Sequence, residues 1–404
     1  MTSTPVEAPV RAATRSTYVA FAGAGFAFAS WAARIPQVRD GLSLTAGELG
    51  LVLLAIAGGS LVALVLSGSI VARFGARRTV AAMALLLGVG LLVVAFGYLA
   101  GVVPVVIGLF VLGFANGAWD VAMNVQGALV ERRLGRSIMS RFHAGFSVGT
   151  VGGALVGAGM VALHVPVTAH LAAVAVLTAA AVWVAVRAFL PDEVHDETGD
   201  TPRRSPLAAW REPRTLLIGV FVLAFAFAEG TGNDWISVAV IDGYGAPAAV
   251  GTLTFAAFLA AMTAGRWFGP GILDRYGRVP VVRAIAVLAV VGLVLFVFGG
   301  ATPVAVAGAL LWGLGTSLGF PVGMSAAADE PALAPSRVSV VASIGYCAFL
   351  AGPPLIGFLG DREGVLRALT VVAVLLAVAA AVAGSLRPPA PASSGAGAAP
   401  AVTG

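Results

Sequence analysis

The sequence has little charge and no lysine. Charged residues make up 11% of the chain and hydrophobic residues 59%, whereas soluble domains carry about 25% charged residues. A soluble fold of 404 residues cannot hide that much apolar surface, because much of any folded surface stays in water. The composition therefore argues against a soluble enzyme, a nucleic-acid binder and a disordered chain, and it predicts a polytopic membrane protein whose surroundings are the lipid bilayer.

Residues that support cofactor chemistry are also scarce. There is one cysteine, Cys347, which excludes an intramolecular disulfide and a cysteine metal cluster. The four histidines lack the spacing of a zinc motif, and no phosphate-binding Gly-rich loop ending in Lys-Ser/Thr is present. We therefore expect no metal, no cofactor and no ATPase activity, and we expect that the protein is not an enzyme. Energy would come from an ion gradient or from the gradient of the solute itself.

Long apolar runs dominate the rest of the sequence. A bilayer-spanning helix needs about 20 apolar residues, and these runs lack the alternation of barrel strands. We predict an all-α membrane fold of twelve transmembrane helices, flanked by disordered tails at 1–14 and 388–404. The predicted spans are 17–37, 47–72, 78–99, 102–130, 141–163, 166–190, 214–240, 246–272, 279–299, 302–328, 336–360 and 364–386.

The arginines predict the orientation. With both termini in the cytoplasm, that side holds 19 of the 24 arginines, including Arg136, Arg203 and Arg204, and the other side holds four. Cytoplasmic loops of membrane proteins carry such an excess. We expect a multi-pass protein of a bacterial inner membrane. Segment 191–213, acidic and then basic, is interpreted as a cytoplasmic linker between an N-terminal bundle (15–190) and a C-terminal bundle (214–387).

Short motifs recur between the two halves. Arg73-Phe74-Gly75 recurs as Arg275-Tyr276-Gly277, and two further matches recur at nearly the same offset. These repeats predict two six-helix bundles related by duplication, which is the organisation of many secondary transporters. A row of glycines, Gly149, Gly153 and Gly157, predicts close packing of the fifth span against a neighbour.

The loop after the second span resembles a known signature. It reads Gly68-Ser-Ile-Val-Ala72-Arg73-Phe-Gly75-Ala-Arg77-Arg78 and is similar to the G-x-x-x-D-R-x-G-R-R loop of the major facilitator superfamily, with Ala72 in place of the acid. The second copy, Asp274-Arg275-Tyr276-Gly277-Arg278, keeps the acid. The resemblance implies that these loops act in gating. It assigns gating to Arg73, Arg77, Arg78, Asp274, Arg275 and Arg278, and we add His143 at the start of the fifth span.

Other stretches resemble one branch of that superfamily, the bacterial relatives of the fucose permeases. They include Ala33-Arg34-Ile35-Pro36, Trp119-Asp120 with Asn124, Glu229-Gly230 with Asp234-Trp235, and Gly352-Pro353-Pro354. The resemblance covers nearly the whole chain between the tails. It implies the major facilitator fold and transport of a small solute, and it implies that the first, fourth, seventh and tenth spans line a central cavity.

Carboxyl groups on those spans are the candidate proton carriers. Asp120 lies near the middle of the fourth span, and Asn116 and Asn124 share its helical face. Because an ionisable group at mid-bilayer costs about 2.5–3.5 kcal/mol on insertion scales, it normally has a function. Glu229 is the second candidate, on the seventh span. Satisfied packing is the competing interpretation for both.

Six residues are candidate contacts for the solute. They are Trp31, Asn116, Asn124, Asn233, Asp234 and Tyr346. For the aromatic residues among them plain packing is the stronger alternative. Arg266 lies inside a span and needs an acidic partner, which the sequence does not identify.

The sequence favours a proton-coupled secondary transporter for a small, possibly sugar-like, polar solute. Efflux of a metabolite or antibiotic in exchange for protons is the alternative, and a membrane sensor or a membrane enzyme is a remote one. The substrate, the direction and the oligomeric state are not readable from the sequence.

Overall fold

The computed structural model describes residues 8–135, 138–191, 206–330 and 333–388, and these residues form helices joined by short loops. Parts of the predicted linker and tails, together with Arg136, Arg203 and Arg204, lie outside the described residues. The helices are α1 Ala8–Ala32, α2 Ile35–Gly41, α3 Ala46–Gly97, α4 Val102–Leu134, α5 Met139–Ala162, α6 Val167–Ala185, α7 Pro206–Ala209, α8 Pro213–Tyr244, α9 Ala248–Tyr276, α10 Arg278–Phe298, α11 Thr302–Thr316, α12 Gly319–Ala327, α13 Ala334–Glu363, α14 Val365–Ala368 and α15 Thr370–Val382.

The all-α membrane architecture is confirmed, and the number of spans needs comment. Ten helical segments of the described chain are long and apolar enough to cross a membrane. One of them, α3, has 52 residues, or about 78 Å at 1.5 Å per residue, and the hydrocarbon core is only about 30 Å thick. Helix α1 has 25 residues and is not among the ten. A count of twelve requires that α3 crosses twice and α1 once, and it stays a prediction.

The break in α3 falls in the signature loop, and it has a counterpart in the second half. Gly75 has φ 78° and ψ 162°, and Gly277, between α9 and α10, has φ 79° and ψ 164°. Only glycine adopts such a conformation without strain. In both copies the preceding arginine lies over the adjacent aromatic ring, at 5.4 Å for Arg73 on Phe74 and 5.3 Å for Arg275 on Tyr276. The repeated sequence therefore builds the same turn twice.

The N-terminal boundary of the first helix differs from the sequence prediction. Helix α1 begins at Ala8, so residues 8–14, which we assigned to a disordered tail, are helical. The segment is rich in alanine, the strongest helix former, and Pro9 lies in the first turn, where its missing N–H is tolerated. Val10 and Ala13 are buried, which ties this extension to the bundle. The remaining residues of that tail lie outside the described chain.

Glycines allow the helices within each half to pack closely. A Cβ on Gly149 of α5 would lie 2.1 Å from the carbonyl oxygen of Ala22 on α1, and one on Gly153 would lie 2.4 Å from that of Phe26. The predicted close approach of the fifth span is thus confirmed, with α1 as its neighbour. In the second half α8 packs on α13 and α10 packs on α11.

The two halves meet closely at the end opposite the arginine-rich loops. Arg39 on α2 binds Asp242 at the end of α8 through two hydrogen bonds. Asp361 on α13 accepts hydrogen bonds from the Thr45 hydroxyl at 3.2 Å and the Gly47 N–H at 3.0 Å, at the start of α3. A Cβ on Gly50 would lie 2.4 Å from the carbonyl oxygen of Pro353. We call these contacts the closed end.

Ion pairs at the arginine-rich end join elements of the second half to each other. Asp329 binds Arg214 at 2.8 Å and Arg278 at 2.6 Å, and Arg337 binds Glu212 at 2.6 Å and Glu330 at 2.8 Å. Asp120 and His143 of the first half are exposed, and each lies within electrostatic range of a residue of the second half, Tyr346 and Arg266 respectively. The interface therefore forms a cleft that opens toward the arginine-rich end.

Candidate functional site

Asp120 lies on α4 and faces the second half of the protein. Its side chain is exposed although it belongs to a membrane-spanning helix, and its charge acts on the hydroxyl of Tyr346, on α13 of the other half. The Asn124 amide nitrogen donates to an Asp120 carboxylate oxygen at 3.3 Å and to the Asp120 carbonyl at 2.8 Å. Asn116, one turn further toward the closed end, is half-buried, and its amide oxygen has no partner among the described residues. The structure therefore brings the polar face predicted for this helix to the cleft.

His143 on α5 joins the polar side chains Asp120 and Asn124 of α4. Its Nε2 lies 3.1 Å from the Asn124 side-chain oxygen, and the ring is exposed. Its edge packs against the Phe21 ring of α1, with centroids 5.2 Å apart. The predicted gating histidine is thus linked to Asp120 by two hydrogen bonds through the Asn124 side chain. Its role in gating stays a prediction.

Glu229 and Arg266 form an ion pair on the opposite wall of the cleft. One terminal nitrogen of Arg266, on α9, lies 2.8 Å from each carboxylate oxygen of Glu229, on α8. The side chain of Arg266 is 31% exposed and that of Glu229 is 21% exposed, so the pair borders the cleft and is only partly accessible. The acidic partner that Arg266 requires is therefore Glu229, which sequence spacing did not reveal.

The same arginine reaches a break between two helices. Helix α11 ends at Thr316 and α12 begins at Gly319, and Arg266 Nε donates to the Ser317 carbonyl at 3.3 Å. A positive charge is favourable at a helix C-terminus, where carbonyl groups lack partners. Gly265 permits the approach, because a Cβ there would lie 2.2 Å from the Ser317 hydroxyl oxygen. Arg266 thus links α8, α9 and the interrupted segment α11–α12.

Two neighbouring aromatic rings on α13 lie near the acids of the cleft. The ring centroids of Tyr346 and Phe349 are 6.3 Å apart. Tyr346 lies close enough to Asp120 for the carboxylate charge to act on its hydroxyl. A ring carbon of Phe349 lies 3.1 Å from the position that a Cβ on Gly230, the neighbour of Glu229, would take. Tyr346, predicted as a solute contact, therefore lies at the cleft. Phe349 was missed, because one phenylalanine among 21 gives no signal in the sequence.

The remaining candidates occupy different environments. Asn233 and Asp234 on α8 are half-buried, and the Asn233 side-chain oxygen has no partner among the described residues. Trp31 is 1% exposed and lies in the hydrophobic core, so in this conformation a solute in the cleft does not reach it. Arg34 is 2% exposed and binds His170 and the Val165 carbonyl inside the first half.

The loop residues predicted for gating lie at the arginine-rich end. Arg73, Arg77 and Arg78 are exposed in the first copy, as are Asp274 and Arg275 in the second. Arg278 is the exception, because it is held by Asp329 and by the Ser325 hydroxyl. Their role in gating stays a prediction.

The charged contacts of the closed end were missed by the sequence analysis. Arg39, Asp242 and Asp361 border a surface cavity of about 630 Å³ together with Asp40 and Thr45. Each of these charges lies near a short loop, which is ordinary for a membrane protein. Only the packing of the halves shows that Arg39 and Asp242, 203 positions apart, are partners.

Comparisons with known proteins agree with this architecture. An uncharacterised MFS-type transporter of Yersinia pestis is 32% identical over 375 residues, which cover 91% of this chain and 94% of that protein. The membrane protein MosC of Rhizobium meliloti is 29% identical over 364 residues, covering 88% of this chain and 86% of MosC.

Solved structures share the fold. A mutant of the nucleoside transporter NupG superposes with a TM-score of 0.75 at 14% identity, covering 94% of this chain and 98% of that one. A mutant of the E. coli fucose:proton symporter FucP gives a TM-score of 0.64 at 15% identity, covering 92% and 98%.

A match to a protein-family model identifies the family of this chain. The family model of the Major Facilitator Superfamily matches residues 17–334, which is most of the chain and includes both copies of the signature loop. Membership indicates a multi-pass secondary transporter rather than an enzyme. The resemblance noted in the sequence is thereby confirmed, and the chain belongs to the Major Facilitator Superfamily.

Proposed function

We propose that the protein couples the movement of a small polar solute to protons, and that Asp120 is the group that takes up and releases the proton. The observation that carries this proposal is the position of Asp120. Its carboxylate is exposed in the cleft between the two halves, and its hydrogen bond is to an amide, Asn124. A carboxylate in a membrane-spanning helix that lacks a cationic contact gains from neutralisation by a proton.

The open side of the cleft would be the cytoplasmic side. The cleft opens toward the arginine-rich loops, which the distribution of charge in bacterial membrane proteins assigns to the cytoplasm. Both termini would then be cytoplasmic in an inner membrane, and the conformation would be the inward-open state of an alternating-access cycle. In the outward-open state the closed end separates and the cytoplasmic halves approach each other.

The charges of the cleft favour a solute without net negative charge. Glu229 and Arg266 compensate each other, while Asp120 and Asp234 contribute negative charge, so an anion would be repelled. Tyr346 and Phe349 offer a surface for a ring, next to hydrogen-bonding groups on both walls. NupG is a nucleoside transporter and FucP is a fucose:proton symporter, and the shared fold supports a ring-shaped hydroxylated solute and proton coupling here.

A solute screen followed by flux tests the proposal. Purified protein is melted with a panel of neutral, cationic and anionic solutes, because a ligand that binds the folded state raises the melting temperature. Uptake of the solute that binds best is then measured in proteoliposomes under an imposed pH gradient. We expect accumulation in the parent protein, none in Asp120→Asn, and normal accumulation in Glu363→Gln, an exposed acid at the end of α13. Proton-driven accumulation by Asp120→Asn would refute the assignment.

Efflux in exchange for protons is the second candidate function. It is favoured by the aromatic wall formed by Tyr346 and Phe349 beside an acid, since such a site also holds aromatic or cationic compounds. In that case solute and proton would compete for Asp120. A deletion strain that becomes sensitive to a toxic compound would support export, whereas loss of growth on one carbon source would support import.

A further inference from the structure

We infer that Arg266 is a positioning residue that holds Glu229 as a fixed anion on the cleft wall, so that Asp120 and not Glu229 exchanges the transported proton. This inference rests on the proposed proton coupling and divides the roles of the two candidate acids. The sequence offered no partner for Arg266. The inference gives this residue a role in setting how many protons the protein transports per cycle.

The contact between Arg266 and Glu229 carries the first step of the argument. Both carboxylate oxygens lie 2.8 Å from one guanidinium nitrogen, within the range of strong charge-assisted hydrogen bonds. Protonating Glu229 would remove the anion and leave the guanidinium without its counter-charge in a membrane-spanning region, where breaking such a pair is strongly unfavourable. Among the described residues Asp120 has no such cationic partner, and its carboxylate accepts a hydrogen bond from the Asn124 amide.

The second step is the anchoring of Arg266 itself. Its Nε donates to the Ser317 carbonyl at the break between α11 and α12. This second bond holds the guanidinium at a helix C-terminus, which favours positive charge. Arg266 therefore remains in place and charged when the solute site changes, because arginine does not lose its proton in proteins.

In the part of the chain that the structure describes, no second acid contacts Glu229. Its element, α8, also carries Asp234, five residues on. The other titratable groups facing the cleft near the pair are His143 of α5, which feels the charge of Arg266, Tyr346 and Cys347 of α13, and Asp120 of α4. The Asn124 side chain links His143 to Asp120, with its oxygen 3.1 Å from His143 Nε2 and its nitrogen 3.3 Å from the Asp120 carboxylate. Glu229 is held by Arg266 instead.

Infrared titration of the full-length protein in lipid tests this without knowledge of the solute. A protonated carboxyl group has a carbonyl stretch that disappears on ionisation, so each acid that titrates across the neutral range contributes one band. We expect Asp120→Asn to remove a band and Glu229→Gln to remove none. Arg266→Gln is expected to add one band, which the double variant Arg266→Gln with Glu229→Gln lacks again. Arg266→Lys keeps the charge and should retain the parent pattern.

The outcomes separate the two proposals. Loss of a band in Glu229→Gln, or no new band in Arg266→Gln, overturns the inference while leaving proton exchange at Asp120 intact. An unchanged spectrum in Asp120→Asn instead refutes the proposed function. If Arg266→Gln does not fold, Glu229→Gln alone decides, because a band lost there contradicts a fixed anion. The gain of one carboxyl band in the single variant and its loss in the double variant would assign that band to Glu229, which a general loss of structure would not do.

Discussion

Individual residues show how a buried cation is satisfied without an acid. Arg34 is 2% exposed and donates from Nε to His170 Nδ1 at 2.9 Å and from a terminal nitrogen to the Val165 carbonyl at 3.0 Å. Because the guanidinium only donates, His170 Nδ1 must accept, which places the imidazole hydrogen on Nε2. The neutral histidine therefore connects α6 to the end of α1.

Replacing that histidine should destabilise the first half. In His170→Leu the Nε donor of Arg34 loses its acceptor in a buried site, which costs roughly 1–3 kcal/mol, and the melting temperature in detergent should fall. His164→Asn is the matched control, since His164 is exposed and asparagine tolerates its φ of 55°. Equal melting temperatures for the two variants would contradict the role given to the Arg34–His170 bond.

Glu212, just before α8, should contribute a pH-dependent term to stability. Burial raises the pKa of its carboxyl group, but hydrogen bonds from Arg337 and Thr215 and the charge of Arg337 outweigh burial, so the pKa is lowered from its ordinary value of 4.5. A lowered pKa means that the contribution is present above the ordinary value and is lost as the pH falls through the lowered one.

The measurement is the melting temperature of parent and Glu212→Gln as a function of pH. The parent should be the more stable at neutral pH, by well under 1 kcal/mol because the pair is partly exposed, and the difference should shrink as the pH falls below about 4. A difference that grows in acid would show that the sign of the linkage is wrong.

At the scale of elements, the glycine row of α5 sets the distance to α1. A Cβ on Gly149 would lie 2.1 Å from the Ala22 carbonyl oxygen, whereas a Cβ on Gly159 of the same helix meets nothing within 4 Å. Gly149→Ala should therefore push the helices apart and destabilise the protein by about 1–3 kcal/mol. Gly159→Ala should be neutral or slightly stabilising, since alanine is the better helix former.

Thermal melting of both glycine variants in the same detergent checks this prediction. Because the substitutions are chemically identical and share one helix, lipid and detergent effects cancel in the comparison. A Gly149→Ala protein as stable as Gly159→Ala would mean that α1 and α5 are not in backbone contact.

At the scale of the whole molecule, Cys347 is placed to report which end of the cleft is open. It is exposed and shares a helical face with Pro354, Phe358 and Asp361 of α13, which are spaced 7, 11 and 14 residues further along. Those three residues contact the start of α3 at the closed end. Cys347 therefore faces the open part of the same interface, which should become covered when the cytoplasmic halves approach.

Weakening the closed end should lower the reactivity of Cys347. Arg39→Gln removes the ion pair to Asp242, and such a pair contributes roughly 0.2–1 kcal/mol. The inward-open population should fall accordingly, and labelling by a polar maleimide in inside-out vesicles should slow by up to about fivefold. The control is Arg362→Gln, an exposed arginine at the same end. Equal labelling rates in the two variants would contradict a role for the ion pair in holding the closed end.

Much of this molecule could be predicted from the sequence, because the features concerned depend on residue patterns within single helices. The apolar runs and the scarcity of charge require membrane helices. The distribution of the arginines predicts which end of the helices is cytoplasmic, and the repeat around Gly75 and Gly277 predicts two related halves. Spacing of four residues places Asp120 and Asn124 on one face wherever the helix lies. These conclusions need only the geometry of a single helix and the chemistry of the bilayer.

Tertiary structure alone decided which charges meet and which end is open. Glu229 and Arg266 are 37 positions apart and Arg39 and Asp242 are 203 apart, so their contacts depend on how helices rotate and at what depth they pack. One sequence also serves both conformations of a transporter, which differ by only a few kcal/mol. Local pattern therefore determined the helices and their faces, whereas the pairing of faces across the two halves set the cleft and its charges.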